Sequence, residues 1–351
     1  MRIAILGLQG AGKKTLFKLL TGGVAASIDP KGLPGVCRVQ DSRVTELSRV
    51  FNPKKTTYAQ LDILLMPDVE KTEGKAKWLE EMRIMDGLVF VVRSFDDPSV
   101  FHPQGLVDPK RDIDAFLSEL IFADIAFLEK RKENIDSELR VKRTPDKEKE
   151  LELVQKLSAG LEAGVMVRDA SLSDTEQRIL ASYNFLSART VIVAVNNSHG
   201  ADDPLLRDWV ASTYSGRLVM AAFDAKLEDE ISGFTDTAER KEFMDGLGIA
   251  EPAIAKLTNV VYSALGLISY FTVGEDEVRA WTVRKDSSAP QAARAIHSDL
   301  ERGFVRVEVM AYKDIIEFGG EEPARTAGRW WLKGKDYIVQ DGDVLCFRCA
   351  T

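Results

Sequence analysis

Cysteine and histidine are both scarce, with three of each in 351 residues. Cys37, Cys346 and Cys349 are too few for a disulfide framework, and none sits in zinc-site spacing with other ligands. His102, His199 and His297 rule out a His-rich metal centre; His102 and His297, with no acid or nucleophile close in sequence, read as structural. No stretch approaches about 18 apolar residues, so no membrane span is expected, and the opening apolar run is too short for a signal segment. Positive charge is not in excess either. Lys plus Arg number 47 against 55 Asp plus Glu, a net charge of −8. That balance argues against bulk nucleic-acid binding and leaves room only for a local basic face, with no sequence-specific DNA binding expected. What remains is a globular composition, 45% hydrophobic and 29% charged, which predicts a cytoplasmic protein of two or three domains.

The first hundred residues alternate strand and helix signals, pointing to an α/β core. Ile3 to Leu6, Leu88 to Val92 and Val191 to Val195 are continuous apolar runs of strand length, and Leu61 to Leu65 is one broken only by Asp62, as expected of parallel strands covered on both faces. From Asp112 to about Leu139 the apolar residues fall at helical spacing. Arg143 to Lys147 reads as a tight turn around Pro145, and Leu151, Val154, Leu157 and Leu161 resume the helical period. Two antiparallel helices forming an arm are predicted. Lys130, Arg131, Lys132, Arg140, Lys142, Arg143, Lys147 and Lys149 cluster toward its tip, either as a solvated face or as a contact surface for RNA or an acidic partner.

After Leu267 a small mixed β/α domain is predicted. Strands are expected at Arg279 to Val283, Phe304 to Met310, Tyr337 to Gln340 and Val344 to Arg348, with Asp341-Gly342-Asp343 turning between the last two. A helix capped by Ser288 should run to about Arg302, where Gly303 stops it.

Gly7-Leu8-Gln9-Gly10-Ala11-Gly12-Lys13-Lys14-Thr15 is the strongest chemical signal, because it lies between an apolar strand and a helix start. Gly7 and Gly12 let the backbone wrap a phosphate, the helix N-terminus supplies oriented N–H groups, and Lys13 supplies a cation for the β and γ oxygens. The last position of a phosphate loop carries a hydroxyl for Mg2+; here it is Lys14, and Thr15 lies one residue late. A bare Gly-rich turn and a variant dinucleotide loop are the alternatives.

This loop, the segment Val92-Arg93-Ser94-Phe95-Asp96-Asp97 and the run Gly105 to Ile113 resemble the YchF (Obg-like ATPase) group of P-loop GTPases. Tyr270 to Gly274, Arg279 to Thr282, Ala289 to Ala293, Ile296-His297 and Gly334 to Val339 are similar to that family's TGS domain. The resemblance implies a P-loop G domain over 1–111 and 190–267, a helical-hairpin insert over 112–189, and a ubiquitin-like β-grasp TGS domain over 268–351. It also implies association with the ribosome or RNA through arm and TGS domain, and a preference for ATP over GTP that is unusual among GTPases.

Several positions depart from the family pattern. The D-x-x-G of the second switch matches Asp62-Ile63-Leu64-Leu65, which keeps the acid and places Leu65 where the glycine belongs; the stretch Pro67 to Gly74 that follows is shortened. The base-reading N-x-x-E matches Asn196 to His199, with His199 replacing the carboxylate, and Ala222 and Phe223 lie in the third base-side loop. Ser27 is the hydroxyl available in the first switch, so Asp62 and Ser27 are the metal candidates, holding Mg2+ weakly or not at all. The expectation is a protein that binds ATP or GTP through Gly7, Gln9, Gly10, Ala11, Gly12, Lys13, Lys14, Thr15, Asn196, Ala222 and Phe223, with hydrolysis reduced or lost. A working Mg2+-dependent NTPase and a nucleotide-free ribosome-binding scaffold are the competing readings.

Overall fold

A computed structural model of the chain describes residues 1–23, 28–29, 31–68, 75–214 and 218–350. Ser27 and residues 69–74 lie outside the described residues. The chain folds as two compact units, Met1–Gly35 with Ile63–Leu247, and Val36–Asp62 with Gly248–Thr351. The strands in chain order are β1 (Arg2–Gly7), β2 (Leu33–Arg38), β3 (Lys55–Thr57), β4 (Gln60–Leu65), β5 (Gly87–Arg93), β6 (Thr190–Asn196) and β7 (Val219–Phe223). They are followed by β8 (Leu267–Thr272), β9 (Glu277–Arg284), β10 (Phe304–Ala311), β11 (Trp331–Lys333) and β12 (Asp343–Cys349). The chain passes from one unit to the other along β2 and β4.

The first sheet has the order β2-β4-β1-β5-β6-β7. Parallel pairs join β1 to β5, β5 to β6 and β6 to β7. All seven residues of β5 and the last six of β6 are buried, as the continuous apolar runs require of strands covered on both faces. Leu88, Phe90, Val193, Phe116 and Leu120 share one core, and the Phe90 and Phe116 rings stack at 4.0 Å between centroids. Helix α1 (Lys13–Thr21) follows β1 directly, and α2 (Ser42–Phe51) and α3 (Lys75–Arg83) come next along the chain.

The arm consists of α4 (Pro109–Val141) and α5 (Pro145–Glu162). Helix α4 begins three residues earlier than its apolar period predicts, because Asp108 accepts the Arg111 N–H as a cap and Pro109 opens the first turn. Its first turns belong to the sheet core, while Leu128 and Ile135 join Leu153, Val154, Leu157, Leu161 and Phe185 in a second core. Asp124, fully buried between them, accepts from Arg83 Nη1 and from the Leu186 and Ser187 N–H groups.

The second sheet has the order β11-β10-β12-β8-β9-β3. β8 and β9 form an antiparallel hairpin, β12 runs parallel to β8, and β10 lies antiparallel to β12. With the helix Ala289–Ile296 packed on the sheet, this is the β-grasp arrangement. Ser288 and Gln291 complete a capping box at that helix. The helix does not run on to Arg302 as expected: it ends at Ile296, and His297 caps a separate short helix, Ser298–Arg302.

A further difference lies at Tyr337 to Gln340, which is not a strand. Ile338 makes one bridge to Ser288, Val339 N–H donates to Ser287 O, and Gln340 N–H donates to Asp343 Oδ2. Local bonds to a loop thus replace a ladder. In the opposite sense, β3 was not legible in sequence: it adds a sixth strand parallel to β9, and Thr57 Oγ1 donates to Glu277 at 2.5 Å. Helix α2 joins the same unit through Arg43, whose guanidinium bridges Asp41 and Asp341 and lies 5.2 Å from the Phe271 ring centroid.

Candidate functional site

The turn from β1 into α1 is shaped by three glycines. A Cβ at Gly7 would lie 2.6 Å from Val91 O. Gly10 has φ +78° and would bring a Cβ to 2.7 Å from Phe101 O; Gly12 has φ +98° and would place one 2.4 Å from Asn196 Nδ2. Larger residues are excluded at all three. No side chain caps α1, so its first N–H groups face the loop as an anion-binding helix end. Ala11 is buried, whereas Gln9 is exposed.

Lys13 is 3% exposed, and its ammonium pairs with the Asp68 carboxylate and lies 3.4 Å from Leu8 O. Lys14 points outward and is exposed; Thr15 is half-buried.

On the base side, Asn196 is 4% exposed and bonded on both ends of its amide. Nδ2 donates to Ala11 O and Oδ1 accepts from the Ala225 N–H, each at 3.0 Å. The side chain therefore ties the phosphate loop to the start of the helix Ala225–Gly233. Asn197 donates to Ala201 O and its Oδ1 accepts the His199 N–H, while the exposed His199 ring meets Ser198 Oγ at 3.0 Å. Phe223 is fully buried in the core, so its ring does not line the site; Ala222 is half-buried.

The metal side differs from the motif spacing. Asp62 sits in mid-strand, exposed, three residues ahead of the end of β4. Leu65 is the last strand residue and fully buried, and Met66 N–H donates to Ile5 O to hold the strand end beside β1. Among the described residues, the acid that reaches the phosphate loop is Asp68. Counting from the strand end rather than from the nearest Asp would have found it. A phosphate-loop enzyme holds Mg2+ with a hydroxyl on the first turn and an acid at this strand end. Lys14 takes the place of the hydroxyl, and Asp68, the acid beyond this strand end, is paired with Lys13, so the described residues do not fit the ion. Among the described residues, no three or more His, Cys, Asp or Glu side chains cluster as metal ligands.

Two buried polar groups organise the loop after β5. Arg93, 3% exposed, donates to the carbonyls of Phe95, Asp97 and Val100 and stacks on Phe95, fixing the segment whose Phe101 O covers Gly10. His102 is buried, with Nδ1 accepting the Gln104 N–H and Nε2 3.3 Å from Asp112 Oδ2. It has an acid partner after all, ten residues away and brought close by the start of α4.

On the arm, Arg131 and Lys147 are spent internally. Arg131 pairs with Glu150 and Glu138, Lys147 with the same two acids, and Tyr183 OH donates to Glu150. Lys130, Lys132, Arg140, Lys142, Arg143 and Lys149 stay exposed, and Val141 among them is 90% exposed. In the second unit, a cavity of about 1000 Å3 is lined by Arg38, Asp41, Arg43, Tyr58, Tyr262 and Asp341, its Arg43 already answered by acids in the wall. Trp330 Nε1 donates to Glu308, and Trp331 on the β11 edge is 40% exposed. Among the described residues no helix is long and apolar enough to cross a membrane.

Comparison with known proteins adds three findings. Residues 267–350 match the family model YchF-GTPase_C, described as a protein of unknown function (DUF933). The chain is 38% identical to the ribosome-binding ATPase YchF of Haemophilus influenzae, covering 99% of this chain and 98% of that one, and 36% identical to its Bacillus subtilis namesake, covering 98% of each. The solved structure of the Schizosaccharomyces pombe YchF GTPase superposes with a TM-score of 0.84 at 31% identity, over 99% of this chain and 97% of that one.

Proposed function

Because the chain belongs to the YchF family of Obg-like ATPases, we propose that it is a cytoplasmic, ribosome-associated protein that binds ATP or GTP at residues 7–15 and turns it over slowly or not at all. In this reading 1–111 with 190–267 is the G domain, 112–189 the helical insert and 268–351 the TGS domain. The observation that carries it is the asymmetry of the loop. Everything that holds phosphate is present: three glycines at backbone positions larger residues cannot occupy, an uncapped helix start, and the buried Lys13. The hydroxyl that would hold a metal on those phosphates is not, since Lys14 stands in its place and is exposed, and Asp68 is paired with Lys13.

Phosphoryl transfer depends on neutralising charge on the transferred group and on orienting a water, with little covalent chemistry from the protein. Lys13 and the amides of α1 do part of the first task and hold the phosphates in place. Asn196 keeps the loop in register with the base-side segment, and contacts to a purine there come from main-chain groups of 196–199 and 222–223. Hydrolysis by the purified full chain, run beside the H. influenzae relative in Mg2+ and in EDTA, tests the reading. Nucleotide binding that survives EDTA, with turnover at least about tenfold below the relative's, is expected. Mg2+-dependent turnover at the relative's rate would overturn it.

Exposed Arg140, Lys142 and Arg143 around Val141 supply the ribosome contact at the arm tip. Replacing all three by Glu is expected to weaken co-sedimentation with ribosomes and to flatten its salt dependence, since each phosphate contact adds about one unit of slope in log affinity against log salt. Unchanged co-sedimentation would move the contact elsewhere.

A further inference from the structure

A buried ammonium needs an anion beside it. In a phosphate loop that anion is the ligand, because the lysine reaches the β and γ phosphates. In this chain Asp68 supplies it from within. Its carboxylate sits on Lys13 Nζ, delivered three residues past the end of a strand that the Met66 to Ile5 hydrogen bond holds beside β1. Lys13 and Asp68 lie in the same compact unit, and the Asp68 side chain is 23% exposed, so the pair is neither a crossing between units nor a loose surface contact.

We propose that Asp68 sets how many phosphates the site accepts, making it a site for a nucleoside diphosphate in preference to a triphosphate. The inference rests on the nucleotide reading above and sharpens it. The first N–H groups of α1, the loop amides and one side of the Lys13 ammonium can hold the β phosphate while Asp68 keeps the other side. A third phosphate brings a further negative group to the same ammonium, where it must either displace the carboxylate or stand beside it as a like charge. Both routes penalise the triphosphate selectively. Isosteric Asp68→Asn keeps the size of the side chain and removes the competing charge.

The test is titration of the nucleotide-stripped full chain with ADP, ATP, GDP and GTP, without metal, for the native protein and for Asp68→Asn. The native chain is expected to bind each diphosphate at least about tenfold more tightly than its triphosphate, and Asp68→Asn to tighten the triphosphate by about tenfold with a much smaller change for the diphosphate. Equal or tighter triphosphate binding by the native chain overturns the proposal. So does a variant in which both nucleotides move together. The native ratio decides the matter alone should Asp68→Asn fail to fold. If neither protein binds any of the four nucleotides, the nucleotide reading itself is overturned, and the role of Asp68 goes with it.

Discussion

A Cβ at residue 12 would meet Asn196 Nδ2 at 2.4 Å on a backbone with φ +98°, so the loop and its staple can be tested one atom at a time. Gly12→Ala is expected to lose nucleotide binding and to lower the melting temperature, because the left-handed conformation alone costs about 1–2 kcal/mol for a residue with a side chain. Asn196→Ala removes a buried amide and strands Ala11 O and the Ala225 N–H. At about 1–3 kcal/mol for a buried group left unsatisfied, a loss of several kcal/mol is expected in urea unfolding. A change below about 1 kcal/mol would mean that the amide is not the staple described. The glycines and Lys13 were legible from residue type and spacing because backbone geometry restricts those positions so severely. Asp68 was not. The D-x-x-G spacing picks Asp62, whereas the strand's own length decides which acid arrives at the loop, and strand ends are poorly marked by apolar pattern. Asn196 is legible as a motif residue, but its role as a tie between two backbone segments emerges only when both segments are in place.

At the scale of elements, the arm carries an acid whose titration reports on its packing. Burial pushes the Glu150 carboxyl up, yet the hydrogen bonds from Tyr183, Lys147 and Arg131 more than reverse this and hold it down at about 2, from an ordinary 4.5. A depressed carboxylate contributes stability that is present above its unfolded value and disappears as pH falls through the folded one. Amide exchange of α4 and α5 is therefore expected to accelerate between about pH 4.5 and 2, and Glu150→Gln to be weaker at neutral pH with a flatter profile. Equal profiles for the two proteins would exclude Glu150 as the source. Leu153→Ala, in the arm's own core, is expected to cost about 2–5 kcal/mol there and to leave nucleotide affinity unchanged, because the arm core and the sheet core share no buried residue. Long elements with a strong apolar signal, the helical period of α4 and the continuous runs of β5 and β6, could be read directly from the sequence. The three-residue strands β3 and β11 could not: so few residues hold no period, and only their partners make them strands. Tyr337 to Gln340 failed in the opposite direction, with strand-like residues whose hydrogen bonds are taken by a loop.

For the molecule as a whole, the division between units does not follow the chain. Residues 36–62 belong with 248–351: β3 pairs with β9, Arg43 reaches Asp341, and Tyr312 OH donates to Glu46. Cutting the chain after Leu247 is thus expected to leave a C-terminal piece lacking its sixth strand and α2, and an N-terminal piece exposing the faces of both. Each piece should be less soluble than the intact protein, and mixing them should restore protection of β9 in hydrogen exchange. Full protection of β9 in 248–351 alone would show that the early segment is dispensable to that sheet.

The same arrangement has a consequence for biosynthesis. Lys55 leaves the translating ribosome 222 residues before Glu277, the residue it will face across the sheet, an interval of roughly 10–40 s at usual elongation rates. Throughout that time the nascent chain carries a helix and a strand whose seat has not yet been made, while the sheet around the phosphate loop is completed without them. Vectorial synthesis thus orders the assembly: the phosphate-loop sheet can mature first, and the early segment is claimed only when the last hundred residues appear.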